Sequence, residues 1–435
     1  MNRRLAGLFL STLILAVLGC VSCTSTRTSS APARVEIGLL APLSGPQAAA
    51  GTRRLNAARL AIDLLNRHQG PPIAGIAAIG ATRFVLRVAD SASDPDRSEE
   101  QARRLAVSGV AGIVSADDAQ DTQRAAPAAQ DRLVPLLAAV ATADYLDELA
   151  DPVLYRVCPT DSQLAQILIE LAQHQLRHSP RIAVISTGPE DADVVDSLTS
   201  QAVAADAPVV AVESGEQDTT AAIHQLVAAA PDVVFAIAPT GPQATDLLTA
   251  VARRGVGVVF GLGEGFTTPG LTNTSGATLV RAVAWSSDPA SHNQFTSTVA
   301  STYQHRYNTS MTADAAQTLA SVLVLANAIG QARSAVPGKV TQALAGLNLD
   351  ALGLPVPWAL EFSAGHDNTH AGGVAEILGA GTTRSVYPPE LASRPPPTLA
   401  ASATAAADTH PGGRFRRRGP TVLDALGWGF VAAPA

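Results

Sequence analysis

Glu264 occupies a position that suits chemistry on a charged ligand. It lies between Gly263 and Gly265, directly after an apolar run at 256–262 that predicts a buried strand. A carboxylate at the end of a buried strand keeps its charge only where a cationic or hydrogen-bonding group meets it. Two interpretations therefore stand: a site for a cationic group of a ligand, or a surface-loop acid that is hydrated by water.

Other predicted strands also end in loops with small, polar or acidic side chains. The loop after the strand at 35–40 contains Ser44, and a helical pattern begins beyond Gly51. In an open parallel sheet such loops lie at the carboxyl edge of the strands, where ligands bind. The N–H groups at the start of the following helix suit a carboxylate or a phosphate. On the residues alone, an ordinary strand–helix turn is an equally good interpretation.

Familiar catalytic and metal-binding patterns are missing from the sequence. Lys339 is the only lysine, so the Gly-Lys-Ser/Thr phosphate-binding loop is excluded. The loop of Ser44 does not satisfy Gly-x-Ser-x-Gly. His174 and His178 have a metal-capable spacing, but no third ligand lies near them in the sequence. The sequence therefore predicts a protein that is not an enzyme, with no cofactor and no metal.

Strands and helices alternate through two successive parts of the chain, which predicts an α/β fold. Two consecutive Rossmann-like halves imply two lobes with a cleft between them. The predicted strands are 35–40, 84–89, 111–114, 134–139, 182–185, 209–212, 233–237, 256–262 and 358–362. The predicted helices are 52–66, 94–105, 123–131, 161–176, 193–205, 219–230, 243–253, 293–307, 313–329 and 340–344.

Composition limits the classes of partner. The chain has 435 residues, enough for two domains, and only 15% of them are charged. The net charge is −7, and the body of the chain has no basic run. These features argue against nucleic acid as a partner.

The two ends of the chain differ from its body. Arg3, Arg4 and the apolar run at 8–18 predict a signal peptide over residues 1–19. Val17-Leu18-Gly19-Cys20 resembles the lipobox of bacterial lipoproteins, which implies lipidation of Cys20. The alternative is cleavage without lipid. Residues 20–33 are expected to form a flexible tether, and the Pro- and Ala-rich tail 388–435 is expected to be disordered. These features predict a protein that is lipid-anchored on the extracytoplasmic face of the cell membrane.

Several motifs in a fixed order carry a family resemblance over residues 34–386. They are Ile37-Gly38-Leu39-Leu40-Ala41-Pro42-Leu43-Ser44-Gly45-Pro46, then Asp90 with Asp94-Pro95, Val134-Pro135, Ala141-Thr142, Tyr155-Arg156, Gly263-Glu264-Gly265 and Gly365-His366-Asp367. On these motifs the chain resembles the solute-binding proteins of branched-chain amino-acid ABC transporters, the Leu/Ile/Val-binding type with a type I periplasmic-binding fold.

The resemblance implies two Rossmann-like lobes joined by a hinge that the chain crosses three times. The crossings are expected near Tyr155, Trp285 and Leu349. The first lobe would comprise 34–155 and 285–348, and the second 156–284 and 349–387. Proteins of this kind close on a ligand by hinge motion, and the membrane permease recognises the closed form. A monomer is expected.

The resemblance also implies roles for individual residues. The Ala141-Thr142 loop matches a loop that holds the ligand carboxylate, and Ser44 belongs to the opening motif at the same edge. The usual serine of another loop aligns with Ala119, so Asp121 or Thr122 is expected to take part instead. Glu264 matches the acid that holds the ligand ammonium.

Some positions depart from the family pattern. Aromatic residues that often cover the ligand are replaced at Ala50, at Glu190 or Asp191, and at Thr240 or Gly241. The expected pocket is less aromatic and more acidic, so a polar or cationic amino acid, or a small amide, is as admissible as Leu, Ile or Val.

The sequence thus predicts a lipoprotein that captures an amino acid or a similar small molecule for an ABC importer. Two alternatives remain open. One is a ligand-sensing lipoprotein that signals to a membrane regulator, and the other is a structural lipoprotein with a degenerate site.

Overall fold

The computed structural model describes residues 34–68, 83–268, 271, 276–379 and 382–399. The predicted signal peptide, Cys20, the tether and the tail from residue 400 lie outside the described residues. The chain forms two compact units. The first unit contains 34–167, 282–376 and 383–394, and the second contains 168–281, 377–382 and 395–399 among the described residues.

The first unit is built on a parallel sheet of five strands in the order β2-β1-β3-β4-β5. Its strands are β1 (Arg34–Ala41), β2 (Arg83–Asp90), β3 (Ile113–Ser115), β4 (Leu136–Ala138) and β5 (Leu154–Arg156). The helices interleaved with them are α1 (Ala48–Arg67), α2 (Pro95–Val107) and α3 (Ala119–Gln130), and α4 (Asp161–Leu176) then runs into the second unit.

The second unit contains most of a sheet of seven strands in the order β14-β13-β10-β9-β8-β6-β7. The strands of this sheet are β6 (Ile182–Ser186), β7 (Val209–Ser214), β8 (Val233–Ile237), β9 (Val258–Leu262), β10 (Thr278–Val283), β13 (Val374–Leu378) and β14 (Thr383–Tyr387). Of these, β14 and most of β13 are counted with the first unit. The helices of this part are α5 (Ala192–Ala204), α6 (Thr219–Ala228), α7 (Gly241–Ala252) and the short α8 (Glu264–Thr267).

The later part of the chain returns to the first unit. It adds the helices α9 (Gln294–Tyr307), α10 (Ala313–Ala332) and α11 (Pro337–Ala345) and the antiparallel pair β11 (Asn348–Leu349) and β12 (Leu360–Glu361). Of the described helices, α10 alone is long and apolar enough to span a membrane, but 83% of that stretch is buried inside the protein. Its burial within the main core identifies it as a central helix of the first unit.

The sequence pattern explains the strands at the centre of both sheets. β8 is apolar along its whole length and β6 is apolar up to its last residue, Ser186; both are buried on both faces, as expected for parallel strands covered by helices. In the first unit, Ile37 and Leu39 of β1 pack with α10 residues such as Leu319 in the main core. This topology confirms the predicted α/β class.

The structure corrects several predicted elements. α3 begins at Ala119, one turn before the predicted start at residue 123, because the side chain of Asp118 accepts a hydrogen bond from the N–H of Asp121 and caps the helix. The strand predicted at 358–362 is reduced to Leu360–Glu361. The strands β5, β10, β11, β13 and β14 were not predicted.

The tail begins later than predicted. Residues Pro389–Leu391 form a 3-10 turn, and the N–H of Ser393 donates to the carbonyl of Ser385 over 2.9 Å. The carboxylate of Asp288 accepts hydrogen bonds from the hydroxyls of Ser385 and Ser393. The predicted boundary at Pro388 was therefore wrong, because these residues pack on the first unit. The compact units also divide the chain differently from the predicted lobes, since 156–167 and 349–376 belong to the first unit; the position of the hinge stays a prediction.

Candidate functional site

The strand register of the first unit brings the predicted loops to one edge. Ala41 pairs with Asp90, Leu40 pairs with Ser115, and Ser115 pairs with Ala138. All four strands are parallel, so the loops that follow them leave the sheet at its carboxyl edge. This edge contains Ser44, the start of α3, and the Ala141-Thr142 loop.

Ser44 is exposed and is held by Asp90. The Ser44 hydroxyl donates to Oδ2 of Asp90 over 2.8 Å. The N–H groups of Leu43, Ser44 and Ala92 donate to Oδ1 of the same carboxylate over 2.8, 3.1 and 2.9 Å. Burial acts to raise the pKa of Asp90, but these hydrogen bonds outweigh it, so the pKa is lowered. Asp90 is therefore an ionised anchor for the loop after β1.

The three residues predicted around Ala119 lie in the first turn of α3. Ala119 is partly exposed, whereas Asp121 and Thr122 are buried. The hydroxyls of Thr122 and Ser115 share a hydrogen bond of 2.8 Å, which occupies the side chain predicted to contact ligand. Burial, followed by the charges of Asp118 and Asp94, raises the pKa of Asp121 to about 7.

Asp117 is a second buried acid at this edge of the first unit. It follows β3, is fully buried, and accepts a hydrogen bond of 2.6 Å from the Ser91 hydroxyl through Oδ1. Its Oδ2 has no hydrogen-bond partner in the described part of the chain. Burial is the main cause that raises the pKa of Asp117 to about 7.

The Ala141-Thr142 loop after β4 is fixed by its backbone carbonyls. The carbonyl of Ala141 accepts from the thiol of Cys158 over 3.3 Å, and that of Thr142 accepts from the N–H of Asp161 over 2.8 Å. Ala141 is buried and Thr142 is partly exposed. The loop can therefore offer the Thr142 side chain to a ligand without losing its anchors.

The guanidinium of Arg156 fixes the end of the same loop. It is buried, donates to the carbonyl of Ala143 over 2.7 Å, and pairs with Asp367 over 2.7 Å and with Asp147. A buried arginine with several acceptors is a rigid cross-link. Arg156 and Asp367 both belong to the motifs of the family resemblance. Their ion pair thus helps to fix the end of the Ala141-Thr142 loop.

In the second unit, Glu264 and Thr240 follow the neighbouring parallel strands β9 and β8. The N–H of Gly265 donates to the carbonyl of Ala238 over 2.9 Å, which joins the two loops. A Cβ on Gly265 would lie 2.4 Å from the carbonyl oxygen of Thr240, and Gly263 has a φ of 86°. The glycines on both sides of Glu264 are therefore required by this close packing.

The side chains of Glu264 and Thr240 are both exposed at this edge of the second unit. Glu264 begins α8. The hydroxyl of Thr240 caps α7, with its oxygen 2.5 Å from Oε1 of Gln243. The amide of Gln243 in turn donates to Glu190 over 3.3 Å. The edge of the second unit thus gathers two exposed carboxylates, Glu264 and Glu190.

The predicted residues accordingly fall into two groups. Ser44, Ala119, Thr142 and their neighbours share the edge of the first unit, and Thr240 and Glu264 share the edge of the second. The anchoring role of Asp90 was not predicted from the sequence. The available signal for this role was the position of Asp90 at the end of an alternating strand, level with the end of β1. In the described residues, no group of three or more His, Cys, Asp or Glu side chains is placed to hold a metal.

A model of the periplasmic binding protein family matches residues 34–382. The chain belongs to this family of binding proteins, as the resemblance predicted, and the prediction of a binding protein rather than an enzyme agrees with the assignment. The family match spans the strand–loop–helix motif of Ser44 and the Gly-Glu-Gly turn of Glu264.

Individual relatives are distant. The chain is 24% identical over 211 residues to the Leu/Ile/Val-binding protein homolog 3 of Brucella melitensis, covering 48% of this chain and 55% of the relative. It thus spans about half the length of the curated relatives it matches.

Solved structures share the fold. The branched-chain amino acid transporter substrate-binding protein LivJ of Streptococcus pneumoniae, in complex with isoleucine, has a TM-score of 0.63 at 20% identity, covering 82% of this chain and all of that one. A solute-binding protein of an ABC transporter from Rhodopseudomonas palustris, in complex with 3,4-dihydroxybenzoic acid, has a TM-score of 0.61 at 19% identity, covering 81% and 93%.

Proposed function

We propose that this protein captures an amino acid, or a similar small molecule with an ammonium group, outside the cytoplasmic membrane and delivers it to an ABC importer. In this proposal Glu264 binds the ligand ammonium, and the Ala141-Thr142 loop binds the ligand carboxylate. These are the roles that the family resemblance gives to the two positions. Ser44, Ala119 and Thr240 contribute smaller contacts, and Asp121 and Thr122 shape the start of α3.

The geometry of the Gly263-Glu264-Gly265 turn carries this proposal. The turn is packed so closely on the carbonyls of Ala238 and Thr240 that only glycine fits on either side of the acid. Such packing fixes the backbone of Glu264 while its side chain stays exposed. A fixed, exposed carboxylate is suited to a charge-assisted hydrogen bond with an ammonium group.

Calorimetric titration tests the proposal. The wild-type protein is titrated with the twenty common amino acids and with 3,4-dihydroxybenzoate. We expect binding of at least one amino acid, weakened about 10- to 100-fold by Glu264→Gln, because a hydrogen bond to a charged group contributes about 1.5–3 kcal/mol. Asp206→Asn is the matched control, since Asp206 is exposed on the same unit in the turn between α5 and β7, and asparagine tolerates its positive φ.

Each result has a definite meaning. Tight binding of an amino acid that Glu264→Gln leaves unchanged contradicts the role given to Glu264. Binding of dihydroxybenzoate alone contradicts an ammonium-bearing ligand and favours an aromatic acid. Binding of no probe favours the structural lipoprotein with a degenerate site.

The cellular setting is part of the same proposal. We infer a monomeric protein anchored through lipid on Cys20 and read by an ABC permease. Metabolic labelling with a radioactive fatty acid should label the wild-type protein and leave Cys20→Ala unlabelled; equal labelling of both contradicts the anchor. Loss of ligand uptake on deletion of the protein supports import, whereas unchanged uptake with altered gene regulation supports the sensing alternative.

A further inference from the structure

The four hydrogen bonds to Asp90 are divided unequally between its two oxygens. The backbone N–H groups of Leu43, Ser44 and Ala92 all donate to Oδ1. The only donor to Oδ2 is the hydroxyl of Ser44, at 2.8 Å, among the hydrogen bonds described for this residue. One oxygen thus fixes the backbone of the loop, and the other fixes a single side-chain hydroxyl.

This division determines what Ser44 can offer to a ligand. An ionised carboxylate only accepts hydrogen bonds, so the hydroxyl of Ser44 must donate its hydrogen to Asp90. Its Oγ then has lone pairs but no hydrogen left for another partner. Because Ser44 is exposed at the carboxyl edge, these lone pairs are the part of the side chain that a ligand can meet.

The neighbouring groups reinforce the acceptor character of this edge. The Gln47 amide, which could donate outward, donates instead to Oδ2 of Asp118 over 2.8 Å. The hydroxyl of Ser93 donates to the carbonyl of Ser44 over 3.1 Å and accepts from the N–H of Gln47. The buried cation nearby, Arg54, is committed to Asp314 and to the carbonyl of Ala116. These side-chain donors are therefore already engaged with acceptors of the protein.

We propose that Asp90 orients the hydroxyl of Ser44 as a hydrogen-bond acceptor toward the ligand, so that Ser44 selects a ligand group that donates, such as an ammonium, an amide N–H or a hydroxyl. Asp90 is a positioning residue, and Ser44 is the specificity-determining contact. The inference rests on the proposed function. In this arrangement a donor group of the ligand contacts Ser44. The ligand carboxylate binds elsewhere in the site.

Asp90→Asn tests the inference because it reverses one hydrogen bond and keeps the others. The Oδ1 of asparagine can accept the same three backbone N–H groups. Its Nδ2 then takes the place of Oδ2 and donates to Oγ of Ser44, which releases the serine hydrogen toward the ligand. Ser44 would change from an acceptor to a donor within an unchanged loop.

The measurement is calorimetry on the full-length protein with three probes. They are the common amino acid that the wild type binds best, its carboxylic acid without the amino group, and its carboxamide. For wild type we expect the amino acid to bind more tightly than the deaminated acid. In Asp90→Asn the ratio of the affinity for the amino acid to the affinity for the deaminated acid should fall about tenfold. Part of this fall should come from tighter binding of the deaminated acid. Ser44→Ala should weaken the amino acid and leave the deaminated acid unchanged, and adding it to Asp90→Asn should change the preference no further.

Ser93→Ala separates selectivity from loop stability. It removes two anchors of the same loop without altering the hydrogen bond between Ser44 and Asp90. We expect it to weaken all three probes by the same factor. If wild type binds an amino acid and Asp90→Asn weakens the probes uniformly, as Ser93→Ala does, the inference is wrong while the proposed function stands. If wild type binds none of the twenty amino acids, both fail.

Discussion

Ser91 donates a hydrogen bond of 2.6 Å to Oδ1 of Asp117 inside the first unit. The two residues follow β2 and β3, which lie on opposite sides of β1 in the sheet. Their hydrogen bond therefore links the strands that flank the loop of Ser44. Since Asp117 is fully buried and its pKa is raised to about 7, its protonation state affects the stability of this edge near neutral pH.

The first prediction concerns Asp117 and pH. The folded protein keeps a proton on Asp117 up to about pH 7, whereas the unfolded chain releases it near the ordinary value of 3.8. The folded state thus binds more protons between these values, and this group makes the free energy of unfolding fall as pH rises. Asp117→Asn does not titrate. We expect the stability of this variant relative to wild type to increase by roughly 2 kcal/mol between pH 5 and pH 7.

Urea denaturation at pH 5, 6, 7 and 8 measures this difference. If the asparagine amide lowers the free energy of unfolding by a constant amount, this loss appears equally at each pH. It therefore does not change how the stability difference between variant and wild type depends on pH. His292, whose pKa is lowered mainly by burial, acts in the opposite direction, but it is common to both proteins and cancels. A difference that stays flat from pH 5 to pH 8 would show that Asp117 is ionised throughout.

The second prediction concerns the ion pair of Arg54 and Asp314. The guanidinium of Arg54 is buried, pairs with Asp314 over 3.1 Å and donates to the carbonyl of Ala116 over 3.0 Å. Burial acts to raise the pKa of Asp314, but Arg54 and Arg53 outweigh it and lower the pKa. Arg54→Ala removes one of the two arginines that the structure describes as paired with this carboxylate, so we expect a loss of about 3 kcal/mol in the free energy of unfolding at pH 7.

Arg59→Ala is the matched control, because Arg59 is exposed on the same helix. It should change the stability by less than about 0.5 kcal/mol. The deficit of Arg54→Ala should shrink as the pH falls toward the pKa of Asp314, since protonation removes the unpaired charge in the variant. Equal losses in both variants would mean that the removal of an arginine from this helix, and not the ion pair with Asp314, explains the effect.

The sequence predicted the long apolar strands and the amphipathic helices well, because their periodicity is set by local residue order. It failed at β10, β13 and β14. β13 is a five-residue segment, Val-Ala-Glu-Ile-Leu, with an acid at its centre, and its burial depends on strands that are distant in the sequence. A short segment of this kind carries no period that separates strand from loop.

The candidate site shows the same limit at the level of side chains. The loop positions of Ser44, Thr142 and Glu264 follow from strand ends, which sequence can locate. The directions of the Asp121 and Thr122 side chains cannot be located in this way. They depend on the residue at which the helix begins, Ala119, because that residue sets which face of the helix each later side chain occupies. The link between Ser44 and Asp90 joins residues 46 positions apart, and only the pairing of β1 with β2 brings them together.

The third prediction concerns the thiol of Cys158. It is buried, donates to the carbonyl of Ala141 over 3.3 Å, and burial raises its pKa to about 12. Since the thiolate is the reactive form, the folded protein should resist a thiol reagent such as DTNB at pH 8. In a variant with Cys20 and Cys23 changed to serine, we expect the labelling rate to rise at least about 100-fold in guanidinium chloride. Rapid labelling of the folded variant would contradict the buried position.

The last prediction concerns the packing of Gly265. A Cβ at this position would lie 2.4 Å from the carbonyl oxygen of Thr240 and 2.6 Å from that of Ala238, and both are backbone atoms that cannot rotate away. Gly265→Ala must therefore push the turn of Glu264 off the neighbouring loop. We expect the free energy of unfolding to fall by about 2 kcal/mol, as for other overpacked positions, and the affinity for amino acid to fall at least about tenfold. Gly257→Ala is the control in the same unit, because a Cβ there meets nothing within 4 Å. Denaturation and calorimetry on both variants measure the two effects, and if Gly265→Ala keeps wild-type affinity, the position of Glu264 does not depend on this contact.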